Sequence, residues 1–430
     1  MKLPDHRAGA SKSIFARASN WREGPQLFLE EWVENTKKMG KKPYALTITT
    51  FSSLGMVGLF HTILGTALPA MRLSFDMGMT EAGLLGSTVW LGYTVGILIG
   101  GSLSDIFRRH RVVMLACWMM GLSSLLFGIW RLFPFNCFIM GILGAGTGMM
   151  VISSSALLMK LYPKKTGMMM GIHHSFYAMG AISGPLAMGY LLRQGWDWRL
   201  IYQGSGVLML AIAGFYASLK TEEDETSSLL SKNSFFSLLT KRNLIWLILI
   251  AFFGIGTQNG ISYWLVSFLK EARSLPIFLA GLGLSLFSVG MASGRLLSGW
   301  MANRFGSAKI LLLLLAFLNI TFLLFHIERK EWVLTVCFLA GVGCSGLFPI
   351  LLTLGGIFFP QQPGTTMGIL GTAAGVGSTL MPYLISAASK WTSLGVGFFT
   401  NQVTAILALC LISISFKRLQ PSEETHVRSS

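Results

Sequence analysis

Charge is scarce in this sequence. Only 12% of its 430 residues are Asp, Glu, Lys or Arg, against 52% hydrophobic, and an ordinary soluble domain carries about twice that charge. Acidic residues are scarcest, with 18 Asp and Glu against 34 Lys and Arg. No carboxylate falls near the middle of an apolar run, and no pair is placed for general acid–base work. The five cysteines (117, 137, 337, 344 and 410) all lie inside apolar runs, so they build neither a disulfide framework nor a metal cluster. His173 and His174 are sequence neighbours that point about 100° apart on a helix, a poor chelating pair. No Gly-x-x-x-x-Gly-Lys-Ser/Thr loop is present, which argues against ATP hydrolysis. These shortages exclude the usual enzyme classes and leave no cofactor to expect. Residues 1–43 are too polar and too long before the first apolar run to read as a signal peptide.

Apolar sequence and glycine are abundant. Twelve runs are each long enough to cross a hydrocarbon core of roughly 30 Å: 44–70, 81–103, 112–130, 133–159, 166–192, 199–219, 243–269, 276–302, 308–326, 332–358, 364–389 and 394–415. The 49 glycines suit membrane helices, where they allow close backbone approach. The net charge of +16 is topological. With the N-terminus in the cytoplasm, 24 of the 34 Lys and Arg fall in inside segments, and positive loops resist translocation. Both termini are therefore expected inside, and a nucleic-acid partner is excluded. Segment 26–33 has the pattern of a surface amphipathic helix or of a solvated tail.

Two stretches are copies of each other. Pro163, Gly167, Met170, Gly171, Ile172, Gly180 and Pro185 recur 197 residues on as Pro360, Gly364, Met367, Gly368, Ile369, Gly377 and Pro382. Gly144 and Gly146 recur as Gly341 and Gly343 at the same offset. A third pair, offset by 198, links Gly101 and Asp105 with Gly299 and Asn303. A long-period repeat in apolar sequence implies two similar membrane bundles facing one another, with a solute site between them. The expected organisation is a tail 1–43, a bundle 44–219, a polar loop 220–242, a bundle 243–415 and a tail 416–430.

After the second run comes Gly101-Ser102-Leu103-Ser104-Asp105, followed by Arg108 and Arg109; after the eighth comes Gly299, then Asn303, Arg304 and Gly306. These segments resemble the loop signature of the major facilitator superfamily, in the form of a bacterial-type twelve-helix member. The first copy departs from it at Ile106 and Arg108, the second at Asn303, which replaces the acid. The resemblance implies an all-α polytopic fold of two pseudo-symmetric six-helix bundles, and a gating role for these loops. An acid at a helix end can latch onto neighbouring basic groups, or the arginines can simply set topology. Gly180, Gly184 and Pro185 look like the glycine–proline signature of the fifth helix in exporters of this superfamily. Gly377 and Pro382 repeat part of it in the eleventh run, so it marks a packing interface more than a transport direction.

Polar groups inside the runs are candidate site residues, because burying them in lipid is costly. His61 lies roughly 6 Å to the outside of mid-span and Arg295 roughly 9 Å to the inside. Gln258 and Asn259 sit close to mid-membrane with Tyr263 one turn on; adjacent amides offer donors and acceptors together. The resemblance places helices one, four, seven and ten around the cavity, and so points to His61, Gln258 and Asn259 as solute contacts. The alternatives are helix packing for His173 and His174, amide bonds to neighbouring helices, and an Arg295 that binds backbone carbonyls. Residues 346–349, Gly-Leu-Phe-Pro, can interrupt the tenth run.

The expected function is secondary transport of a small polar solute or organic anion by a monomer in a lipid bilayer, the inner membrane of the cell. If protons drive it, a histidine must carry them, His61 first, then His173 and His174, because unperturbed histidine titrates between pH 5 and 8. An uncoupled facilitator, an exporter of drugs or lipids, and a receptor on the same fold are the alternatives.

Overall fold

A computed structural model describes residues 41–163, 166–219, 238, 240–326 and 330–420. Segment 26–33 and nearly all of the polar loop 220–242 lie outside the described residues. By its contacts the chain divides at Ile48, and the site discussed below lies wholly within Thr49–Ser430.

All twelve apolar runs are helical, and the described residues contain no strand. The first six are α1 (Lys41–Phe75), α2 (Met79–Ile106), α3 (Arg109–Leu126), α4 (Phe133–Leu161), α5 (Thr166–Arg193) and α6 (Trp198–Ser218). Then come α7 (Arg242–Ser267), which finishes in a π-helical turn at Phe268–Ala272, α8 (Ile277–Phe305) and α9 (Ser307–Phe325). The tenth run is split into α10 (Lys330–Cys344) and α11 (Leu347–Phe358). The eleventh is α12 (Pro363–Trp391), and the twelfth is split into α13 (Leu394–Phe398) and α14 (Thr400–Leu419). Ten of the twelve are long and apolar enough to cross a membrane. The two that fall short are α3, 18 residues long with Arg109-His110-Arg111 in its first turn, and α5, which carries His173, His174 and Tyr177.

The break in the tenth run has a local cause. Pro349 has no N–H to give to the carbonyl four residues earlier and its ring clashes there, so the Ser345 carbonyl loses its helical partner. The preceding turn tightens, with the Ser345 N–H donating to Val342 O at 3.2 Å. The break between α8 and α9 is set by Gly306, whose φ of +93° a side chain would resist.

The sequence repeat is a repeat of contacts. Gly144 brings α4 against the Val89 carbonyl of α2, and Gly341 brings α10 against the Phe287 carbonyl of α8. Gly180 sets α5 on the Gly55 carbonyl of α1, and Gly377 sets α12 on the Phe252 carbonyl of α7. The partners 55 and 252 are themselves 197 apart. Glycine recurs because a side chain at any of these positions would occupy the neighbouring backbone. Helices α2, α3, α4 and α6 pack among themselves, as do α7, α8, α9, α10, α12 and α14. Across the halves, α2 packs along α12 and α5 along α8.

Cross-half approach is tightest on the side away from the chain ends. A Cβ at Gly65 would lie 2.7 Å from the Ser262 carbonyl, and one at Gly281 would lie 2.8 Å from the Pro185 carbonyl. On the side of the chain ends, a Cβ at Gly101, Gly171, Gly299 or Gly368 would meet nothing within 4 Å.

Candidate functional site

A cavity of about 40 Å³ lies between α1, α5, α7 and α8, lined among others by Gln258, Asn259, Arg295, Tyr177, Thr62 and Ser288. Three of the residues picked out by polarity alone, on two different helices, meet here. Arg295 is the charged side chain of the wall. Its Nε donates to the Ser345 carbonyl at 3.3 Å, the group that Pro349 leaves without a helical donor. Arg295 thus binds the free carbonyl of a broken helix and also lines the cavity. Asn259 Nδ2 donates to Ser378 Oγ of α12 at 2.7 Å. Gln258 makes no hydrogen bond among the described residues, so its amide is available to whatever fills the space.

His61 stands behind this wall rather than in it. Its Nδ1 is 3.1 Å from the Tyr177 hydroxyl, and its Nε2 is 3.3 Å from Thr147 Oγ1 on α4. Trp90 and Tyr93 of α2 enclose the ring, with centroids 5.0 and 5.4 Å away. Tyr177 lines the cavity and so joins it to His61. Tyr177 is not among the residues expected from the sequence, because the resemblance places helices one, four, seven and ten around the cavity and leaves α5 out of the wall. Its signal was a hydroxyl one turn from two intramembrane histidines.

The remaining candidates are placed elsewhere in this conformation. Tyr263 is buried and donates to the Ala82 carbonyl at 2.5 Å, fastening α7 to α2. His173 is fully buried and pairs through Nε2 with Ser154 Oγ at 3.0 Å, the packing role weighed for it above. His174 is exposed. Pro185 offers its carbonyl to the approach of Gly281. Gly184 faces Thr62 of α1, and the Pro382 carbonyl accepts Trp264 Nε1 at 3.1 Å.

At the signature loops, the Asp105 side chain lies outside the described residues. Arg108 and Arg109 bury their Nε atoms with no hydrogen-bond partner among the described residues. In the second copy Asn303 is exposed, and Arg304 lies over the rings of Trp300 and Phe305 at 5.6 and 5.5 Å. A wider hollow of about 700 Å³ adjoins the far end of α7, with Glu271, Arg273, His326 and Phe399 in its wall. None of the candidate residues lines it.

Residues 50–382 and 277–429 match the sequence pattern of the Major Facilitator Superfamily. The chain belongs to this superfamily. The transporter is 24% identical over 395 residues to the gentisate transporter of Corynebacterium glutamicum, covering 85% of each chain. It is 22% identical over 375 residues to the glucose/mannose transporter GlcP of Bacillus subtilis, covering 84% of this chain and 91% of that one. Its fold is that of a bacterial homologue of the human lysosomal transporter Spinster in an inward-facing, unoccupied conformation. The TM-score is 0.73 at 15% identity, over 90% of this chain and all of the other. The transporter is thus an all-α membrane protein of twelve spans in two pseudo-symmetric six-helix bundles, and it moves small solutes across a membrane.

Proposed function

We propose that the protein transports a small organic anion by alternating access, with bundles 44–219 and 243–415 rocking about the cavity and the loop 220–242 joining them. One observation carries the anion reading. Arg295 is the charged group of a wall whose other polar members are neutral, and its terminal guanidinium nitrogens have no hydrogen-bond partner among the described residues. A cation in such a place calls for a negative partner. Gln258, with its unused amide, supplies further donors beside it. The gentisate transporter, an anion carrier by its name, is a relative that fits. The amides alone would also suit a sugar, as the glucose/mannose relative suggests, but a sugar would leave the arginine unanswered.

The space of about 40 Å³ holds no more than a few water molecules. The solute therefore binds when the helices part, and the open side is that of the chain ends, where Gly101, Gly171, Gly299 and Gly368 meet no neighbour. We assign that side to the cytoplasm of a bacterial inner membrane, from the excess of Lys and Arg there. The protein works as a monomer, without an enzymatic step.

The test is exchange of labelled gentisate and of glucose by the purified protein in proteoliposomes. Gentisate is expected to exchange, and Arg295→Gln to weaken it about 10- to 100-fold, the value of a hydrogen bond to a buried charge. Glucose exchange in its place, or gentisate exchange indifferent to Arg295→Gln, overturns the anion reading. Binding without exchange makes the protein a receptor.

A further inference from the structure

The hydrogen bonds behind the cavity wall fix the tautomer of His61. Thr147 Oγ1 donates its one hydrogen to the Gly144 carbonyl at 2.7 Å. Towards His61 Nε2, at 3.3 Å, the same oxygen can then only accept. Neutral His61 accordingly carries its hydrogen on Nε2, and Nδ1 is left with a lone pair. The Tyr177 hydroxyl, 3.1 Å from Nδ1, must be the donor of that bond. In this state the tyrosine spends its hydrogen on the histidine and shows the cavity only an oxygen.

A second proton on His61 reverses the arrangement. Nδ1 becomes a donor, the Tyr177 oxygen must accept, and its hydrogen has to swing to the other in-plane position of the phenol. Tyr177 is a cavity residue, so the hydrogen then faces the space that Arg295 also addresses. We propose that Tyr177 is the positioning residue that converts protonation of His61 into one additional hydrogen-bond donor for an anion in the cavity. The inference rests on the anion reading of that cavity given above.

The surrounding charges act in the same direction. The titratable groups against the His61 ring are Tyr93 on α2 and Tyr177 on α5. From α4 the ring meets Thr147, and α7 contributes the uncharged Gln258 and Asn259 to the same cavity. Arg295 on α8 lines that cavity, while His173 and His174 occupy the preceding turn of α5. With the cavity empty, a positive charge on His61 has no negative partner, since the charged group of the wall is Arg295. An anion bound between them favours that charge and also accepts the freed tyrosine hydrogen. Proton and anion strengthen each other's binding by linkage, which is the requirement for moving both in one direction.

The experiment measures gentisate affinity of the purified full-length protein across about pH 4–8, which extends below the ordinary histidine range, with melting temperature as the check on folding. The wild type is expected to bind about tenfold more tightly at the acid end, the gain of one charge-assisted donor. Tyr177→Phe should lose the part of the acid gain that its hydroxyl carries, so that its affinity changes less with pH than the wild type's. Thr147→Val removes the acceptor that fixes the tautomer, so its alkaline affinity should rise towards the acid value. Opposite effects from two hydroxyl deletions are not expected of simple packing damage. If Tyr177→Phe retains the wild-type pH profile, His61 acts through charge alone and the inference is overturned. Should Tyr177→Phe not fold, an unchanged profile in Thr147→Val overturns it equally. A wild type that neither binds nor exchanges gentisate at any pH removes the anion reading, and this inference with it.

Discussion

Arg72 Nη1 lies 2.8 Å from both carboxylate oxygens of Glu271, joining two residues 199 apart in the chain. Arg72 is in the last turn of α1, and Glu271 is in the π-helical end of α7. The pair therefore ties the first half to the second on the side away from the chain ends. The side chains are 19% and 32% exposed, so solvent screens the pair and it contributes at most about 1 kcal/mol. That is still about a fivefold bias on a two-state equilibrium. Arg72→Gln should raise the rate at which a membrane-impermeant thiol reagent, applied from that side, labels Ser262→Cys in a background without native cysteines. About fivefold is expected, and the swap Arg72→Glu with Glu271→Arg should restore the slow rate. Equal rates in wild type and Arg72→Gln would remove the pair from the gate.

Gln258 and Asn259 are neighbours with different obligations. Gln258 makes no hydrogen bond among the described residues, while Asn259 holds Ser378 at 2.7 Å. Gln258→Ala should weaken solute binding and leave the melting temperature where it was. Asn259→Ala should lower both, since it also removes the bond that the buried Ser378 hydroxyl accepts, worth about 1 kcal/mol. Equal thermal destabilisation by the two variants would contradict this division.

Gly65 and Gly171 test the asymmetry between the two sides. At Gly65 an added Cβ would sit 2.7 Å from the Ser262 carbonyl, whereas at Gly171 it would meet nothing within 4 Å. Gly65→Ala should destabilise the protein by about 1–3 kcal/mol, as overpacking does. Gly171→Ala should cost nothing in this conformation, and alanine's better helix propensity favours it by up to about 1 kcal/mol. Thermal unfolding of the two variants in the same detergent decides the matter. Alternating access adds that Gly171→Ala should slow solute turnover, because that side must close in the other half of the cycle.

Much of this was legible beforehand from particular residues. Pro349 announced the break in the tenth run, since a proline cannot donate four residues back. The amides at 258 and 259 and the guanidinium at 295 stood out because nothing apolar around them could satisfy them. Tyr177 was harder to read. Its role depends on which way α5 turns towards α1, and a helix carrying polar groups on several faces does not declare that orientation. The Arg72–Glu271 pair was hidden for a similar reason. Charges just beyond span ends are common, and only the meeting of α1 and α7 makes these two partners.

The sequence by itself determined the number of spans, their lengths, the pairing of the halves and the list of polar groups that had to be answered. Those follow from the cost of leaving backbone and polar atoms in hydrocarbon, a constraint each segment meets alone. Only the tertiary structure decided which polar groups meet, that His61 sits behind Tyr177 instead of in the wall, and which side of the molecule is shut. Those depend on the rotation of each helix about its axis and on contacts between residues some 200 positions apart, such as Gly65 with Ser262. Such contacts arise when whole helices pack together, and no local pattern of residues specifies them.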